Sequence, residues 1–295
     1  MKITRARLSH PADIGTILYQ LVMTGIIVFH WNAVPSPVLL LMYHLAIVSF
    51  VLILPNLGNL PFIRWIRDWN PLLIIPTSFA ELHYLVHNVN PVDLDGLLIN
   101  LDYSIFGVHP TVWLERFTFP LLTEYFQWIY TTFYFLPLIM GYILYKKDDL
   151  SHFHLFVFLM VYGFYASYIG YFLVPAIGPR FTLTDLQSFP LEGVLFFETI
   201  QHALNTLENV QRDAFPSGHT EVTLLIMMYA RQHAPKYFLV LNFIGTSLII
   251  STVYLRYHYV IDVIAGVILA IAVWYSAPYL YRRIAGAKSL KFNSF

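Results

Sequence analysis

The chain has 295 residues, 58% of them hydrophobic and 12% charged, with 17 basic and 17 acidic side chains and a formal net charge of zero. Soluble domains run at roughly 45–50% apolar and about 25% charged, so this is a membrane composition. Short, scattered basic clusters exclude the positive stripe that nucleic acid needs, and the lack of cysteine excludes disulfides, thiolate catalysis and Cys-ligated metal.

Met1 to Arg7 carries three basic residues ahead of an apolar run. With no small-x-small cleavage site behind it, this reads as a retained first span. A spanning helix needs roughly 20 mostly apolar residues, and eight candidates follow in order, near 14–31, 36–54, 71–88, 119–145, 153–175, 215–231, 237–254 and 259–281. The third contains Pro76, Glu81, His83 and His87 and reads either as a span or as a helix lying in the interface. Glu81, His83 and His87 stand towards its outer end and are candidates for headgroup contact. Residues 89–118 alternate apolar positions with Asp93, Asp95, Asp102, His109, Glu115 and Arg116, which suits one or two amphipathic helices covering the outer surface. Loop 176–214 is too long for a simple connector and has the length of a lid or binding segment.

Lys and Arg accumulate on the cytoplasmic side. Lys146 and Lys147, Arg231 with Lys236, and the tail with Arg282, Arg283, Lys288 and Lys291 share one face if the last five spans alternate, so that face and the C-terminus are expected to be cytoplasmic. The expected organisation is an all-α polytopic bundle of about eight spans: an N-terminal helix pair (1–60), a third span with an outer amphipathic segment (61–118), a core (119–285) and a basic tail (286–295).

Three segments fall at the outer ends of the last helices: Gly178-Pro179-Arg180, Phe215-Pro216-Ser217-Gly218-His219, and Tyr254 to Asp262. Each has a use for a phosphorylated substrate. Arg180 and Arg256 offer planar forks of donors that fit phosphate oxygens. Pro216 sits near the first turn of a helix, where free amides around Ser217 and Gly218 make an anion site. His258 and Asp262 are four apart and share a helix face. A carboxylate on one ring nitrogen leaves the other nucleophilic. His219 then remains to protonate a leaving group.

In these residues the sequence resembles the type 2 phosphatidic acid phosphatase superfamily, over roughly 119–281. Its middle motif, Pro-Ser-Gly-His, is present as Pro216 to His219. Its last motif is Ser-Arg, five residues, His, three residues, Asp; Ser251, His258 and Asp262 match, with Thr252 at the Arg position and Arg256 nearby. Its first motif has Lys, six residues, Arg-Pro, whereas here Pro179 precedes Arg180 and Leu173 holds the Lys position. Gly-Pro-Arg before an aromatic, and His-Tyr before an aliphatic pair and Asp, are similar to the inositolphosphotransferase-like branch that includes fungal inositol phosphorylceramide synthase.

The resemblance implies a six-helix phosphatase-like core preceded by two N-terminal helices. It implies His258 as covalent nucleophile, Asp262 as its partner, His219 as acid, and Arg180, Ser217, Gly218 and Arg256 as phosphate ligands, with no metal and no cofactor. The expected substrate is a membrane lipid phosphate or phosphodiester. The expected reaction is phosphatase-type hydrolysis, with headgroup transfer to a lipid hydroxyl as the alternative. Two other classes fit less well. His83 and His87 form a His-x-x-x-His pair with no second box of matching type, and a transporter would show midplane charges or related halves.

Overall fold

The computed structural model describes residues 10–58, 60–147, 150–208 and 210–285, and its regular structure there is entirely helical. The basic residues before His10 and the tail 286–295 lie outside the described residues. In chain order the helices are α1 (Pro11–Phe29), α2 (Pro37–Ile53), α3 (Pro61–Val89), α4 (Asp95–Phe106), α5 (Pro110–Trp113), α6 (Pro120–Thr131), α7 (Leu136–Tyr145), α8 (Leu150–Leu173), α9 (Pro179–Thr182), α10 (Phe197–Glu208), α11 (Gly218–His233), α12 (Pro235–Tyr254) and α13 (Val260–Ala285). Pro11, Pro37, Pro61, Pro120 and Pro235 each open a long helix, where the missing N–H costs nothing and the fixed φ is already helical.

Five helices, α1, α2, α8, α12 and α13, are long and apolar enough to cross a membrane. A sixth crossing forms if α6 and α7 are taken as one span bent by 51°. Helices satisfy their own backbone groups, as hydrocarbon requires. The outward faces match that solvent: Leu39, Leu45, Leu239, Val240, Phe243 and Ile268 are all exposed. The expected third span lies within α3, whose 29 residues include Arg64, Arg67, Asp68 and Glu81. The expected sixth begins later than read, at Gly218, and as α11 has only 16 residues.

Helix α8 is the central post. Phe153, Phe156, Met160 and Val161 are fully buried, and α1, α3, α7, α11 and α13 pack around it. Its apolar character all round, which at the sequence level marks a span, here also marks a helix buried on every face. The bend between α6 and α7 has a local cause. Pro137 supplies no N–H to the preceding turn, and Thr132–Tyr134 tightens into a 3-10 turn. That bend presents Tyr130 and Phe133 to the start of α11.

Candidate active site

The site is built where α8, α11, α12 and α13 end or begin. Ser217 caps α11: its Oγ accepts from the Thr220 amide at 3.2 Å and its carbonyl accepts from the Glu221 amide at 3.0 Å. Pro216 therefore precedes the cap rather than sitting in the first turn. The Ser217 amide donates to the Asp262 carbonyl at 3.1 Å, tying α11 to α13. The amides of Gly218 and His219 have no hydrogen-bond partner among the described residues, so the helix start keeps two donors for an anion. A side chain at 218 would put its Cβ 2.6 Å from the Tyr171 hydroxyl, which is why glycine stands there.

Before α13, the amides of Tyr257 and His258 both donate to the Thr252 carbonyl, at 2.9 and 3.1 Å, and Arg256 adopts a left-handed φ of 64°. This turn delivers His258 to the start of α11. His258 Nδ1 lies 2.8 Å from the Ala214 carbonyl, 3.5 Å from Asp262 Oδ2, and its Nε2 lies 3.3 Å from His219 Nδ1. A carbonyl only accepts, so Nδ1 carries the proton and Nε2 presents a lone pair. The expectation that Asp262 fixes the tautomer is thus corrected in detail. The carbonyl of Ala214 takes the hydrogen bond, because Asp262, at the third position of α13, reaches back to the Tyr259 amide at 2.8 Å. The carboxyl group remains fully buried beside the ring.

With His258 Nε2 bare, the His219 Nδ1–H donates to it. His219 Nε2 has no hydrogen-bond partner among the described residues. The His219 ring is held between Phe133, at 4.2 Å between centroids, and Tyr130, stacked at 4.7 Å. The stack continues from Tyr130 to Tyr257 at 4.5 Å and from Tyr257 to the Arg180 guanidinium at 4.8 Å. One aromatic column therefore fixes His219 and Arg180 relative to each other. Arg180 also donates to Asn205 Oδ1 at 2.9 Å. Tyr130, Arg180, Asn205, His219 and Tyr257 line a cavity of about 270 Å³ together with Ile177, Phe181, Val210, Gln211, Asp213 and His258.

Of the expected phosphate ligands, Arg180 lines this cavity, while Ser217 and Gly218 are buried next to the lining residue His219 and do not line it themselves. Arg256 does not join them. Its Nη2 donates to Glu115 Oε1 at 2.9 Å and its Nη1 to Gln187 Oε1 and the Phe189 carbonyl at 2.9 and 3.0 Å. The guanidinium is spent on pinning loop 184–189. Burial lowers its pKa from the ordinary arginine value, and Glu115 beside it opposes that shift. Nor do Glu81, His83 and His87 reach the cavity. Glu81 turns into the bundle and bonds to His44 Nε2 at 2.8 Å, while His83 and His87, one turn apart on another face of α3, are exposed.

Sequence reasoning missed the groups that hold the loops. Asp95 accepts from the amides of Ile177 and Gly178 at 3.0 and 2.9 Å and from the Tyr259 hydroxyl at 2.8 Å. Gly178, at φ 89°, makes the bend that lets its amide turn to that carboxylate. Asp102 accepts from the first amides of α13, Val260 and Ile261, at 3.0 and 2.8 Å. Desolvation raises the pKa of Asp102 above the ordinary aspartate value, against the pull of those two amides. Glu115 also accepts from the Ser188 amide, and Glu124 from the amides of Val194, Leu195, Phe196 and Phe197 at 3.0–3.1 Å. The segment read as surface helices is the frame of the site. Asp95 and Asp102 are seven apart, two helical turns, a spacing that marks one face of α4.

Residues 98–276, well over half of the chain, match the PAP2 superfamily. The chain belongs to that superfamily. Phosphoinositol dihydroceramide synthase of Bacteroides thetaiotaomicron is 25% identical over 232 residues, covering 69% of this chain and 73% of that protein. A PA-phosphatase related-family protein of Dictyostelium discoideum is 30% identical over 114 residues, 35% of this chain and 21% of the other. No solved structure matches. This PAP2 protein is a polytopic helical membrane enzyme of lipid phosphoryl transfer.

Proposed function

We propose that this PAP2 enzyme moves a phospho-headgroup from a phosphodiester lipid to a lipid hydroxyl, through a phosphoramidate on His258. The observation that carries the reading is charge. The cavity contains one guanidinium, Arg180, because Arg256 is committed to Glu115 and the two other motif cations are replaced by Leu173 and Thr252. A phosphomonoester dianion asks for more compensation than one arginine and two amides provide, whereas a phosphodiester carries a single charge. Asp213, Asn205 and Gln211 on the wall suit a hydroxyl-rich headgroup, with the carboxylate accepting from a diol. The relative in Bacteroides, a phosphoinositol dihydroceramide synthase by name, supports the same choice.

In the first step the arriving phosphoryl group displaces the His219 Nδ1–H from His258 Nε2, Nε2 attacks phosphorus in line, the P–O bond to the donor lipid breaks, and His219 gives that oxygen a proton from its own Nε2. His219 holds the extra proton because the arriving anion compensates it, with Nε2 as the free position for it. In the second step neutral His219 takes the proton of an acceptor hydroxyl, whose oxygen attacks phosphorus as the P–Nε2 bond breaks, which returns His258 to its starting state. The basic clusters at the opposite end of the bundle, Lys146, Lys147, Arg231, Lys236, Arg282 and Arg283, support an extracytoplasmic site and a cytoplasmic C-terminus.

The test uses purified protein in vesicles containing phosphatidylinositol, with and without a ceramide, and in separate vesicles containing phosphatidic acid. The expected result is ceramide-dependent release of diacylglycerol and a new phosphoinositol lipid, abolished in His258→Ala, with little phosphate from phosphatidic acid. Acceptor-independent phosphate release from phosphatidic acid as the faster reaction would overturn transfer and restore hydrolysis. A cysteine-accessibility map that places residues beside His219 in the cytoplasm would overturn the sidedness.

A further inference from the structure

At the end of α8 remote from the catalytic histidines, three side chains distant in sequence converge. His154 is 16 residues before Gly170, where an added Cβ would meet Pro216 at the candidate active site, or roughly 24 Å along the helix. His10 Nε2 and His154 Nε2 each lie 3.2 Å from the same oxygen of Asp68, Oδ1. The three atoms all lie within 4.8 Å of one another. The two imidazoles stack face to face at 3.7 Å. The Tyr145 hydroxyl donates to Asp68 Oδ2 at 3.1 Å, holding the carboxylate so that Oδ1 faces the rings. The backbone amide of His10 is itself fixed by Asp13 at 3.1 Å.

We propose that His10, Asp68 and His154 form a divalent metal site of the zinc class, separate from the phosphoryl-transfer chemistry. The donor set is two imidazole nitrogens and one carboxylate oxygen, the borderline ligands that such ions take. Zinc bonds of about 2.0–2.1 Å at a tetrahedral angle set neighbouring ligand atoms roughly 3.3–3.4 Å apart, close to the two separations from Asp68 Oδ1, and the ion would swing the two rings out of their 3.7 Å stack so that both Nε2 lone pairs meet it. Tyr145 supplies the outer hydrogen bond that orients a ligating carboxylate. The three side chains are only 11–17% exposed, so water reaches one side and fills the remaining coordination position. His10 also feels the charge of Arg67, which works against a bound cation. The ion would staple α1 and α3 to α8, joining the N-terminal helices to the catalytic core.

The experiment uses the full chain purified without a metal-affinity tag, equilibrated with micromolar zinc, passed through a desalting column and assayed for zinc by mass spectrometry. Wild type is expected to retain about one zinc per chain, and Asp68→Asn, His10→Ala and His154→Ala to retain less than a third of that. Zinc is expected to raise the melting temperature of wild type by a few degrees and that of His10→Ala not at all. His10 lies at the edge of the bundle, so His10→Ala keeps the test valid if the buried variants fail to fold. No retained zinc in wild type, or equal retention in wild type and His10→Ala, overturns the site. Removal of the ion by chelator is expected to lower the melting temperature while His258-dependent transfer persists, which separates this inference from the catalytic reading.

Discussion

The two histidines proposed to be catalytic and the carboxylates that hold their loops come from regions that work in opposite ways. His219 and His258 sit in short segments where spacing, cap and neighbours are local: Ser217 caps the helix that starts next to His219, and Asp262 lies one turn beyond His258. The stretch 95–124 acts at a distance. Asp95 reaches Gly178 and Tyr259, Asp102 reaches Val260 and Ile261, Glu115 reaches Arg256, and Glu124 reaches residues 194–197. Reactive groups can thus be presented by compact motifs while their alignment is imposed from elsewhere in the chain. Variants in the first region should remove chemistry from an intact fold, and variants in the second should loosen an intact chemistry.

The largest separation is expected from the histidines. His258→Ala removes the proposed nucleophile and should lower transfer by at least about 10³-fold, while His219→Ala removes the proposed acid and base, a role worth typically 10²–10⁴-fold. Both should melt close to wild type. The two roles part with an activated donor whose leaving group needs no proton: the first step should recover in His219→Ala, read as burst release of that group, and should not recover in His258→Ala. Equal recovery in both would overturn the assignment.

The two arginines sharpen the comparison at intermediate size. Arg180→Ala should lower kcat/KM by about 10²-fold, of the order of a lost charged hydrogen bond at the transferred group, with little change in melting. Arg256→Ala leaves Glu115 buried without its partner, a change that costs about 3 kcal/mol in comparable pairs, so it should appear first as a lower melting temperature. Arg256→Lys should fail to restore it, since one ammonium cannot span Glu115, Gln187 and Phe189 as the fork does. If Arg256→Ala instead raised KM with no loss of stability, Arg256 would return to the phosphate.

Asp102→Ala tests the frame directly. It leaves two amides of α13 without their acceptor and is expected to reduce transfer by about 10-fold through misplacement of His258, with binding of zinc at the far end unchanged. Asp102→Asn, which keeps one carbonyl oxygen, should recover part of the loss. A structural role alone would lower the melting temperature in both without the graded loss in kcat.

The same contrast explains what was legible in the sequence. Helical class, most spans and the pairing of His219 with His258 follow from apolar length, opening prolines and short motifs, all carried by contiguous residues. The role of Arg256 was not legible. Proximity in sequence to His258 suggested phosphate, and only the folded loop reveals that Glu115, 141 residues away, claims the guanidinium. Glu81 likewise looked like an interfacial acid until His44 of α2 was found against it. Asp95 and Asp102 were visible as polar positions on an amphipathic helix, but nothing local says which amides they will meet. The cluster of His10, Asp68 and His154 shares this property, with partners 58 and 86 residues from Asp68.

The smallest effect is expected at Glu124, and its size follows from how the carboxylate is divided. Oε2 takes the amides of Val194, Leu195 and Phe197, while Oε1 takes that of Phe196 and the Trp128 indole N–H. Glutamine can keep one oxygen on the three-amide side but then turns an NH₂ towards Phe196 and Trp128, donor against donor. The loss is about two hydrogen bonds and part of the favourable charge at the start of α10, roughly 1–2 kcal/mol after water repays the exposed donors. Loop 184–196 should therefore open more often without the catalytic groups moving. Limited proteolysis of Glu124→Gln should show faster cleavage in that loop, KM should rise no more than about 3-fold, and kcat should hold. A fall in kcat as large as that of Asp102→Ala would mean that α10 positions the reacting groups, and the division between chemistry and frame would have to be redrawn around Asn205.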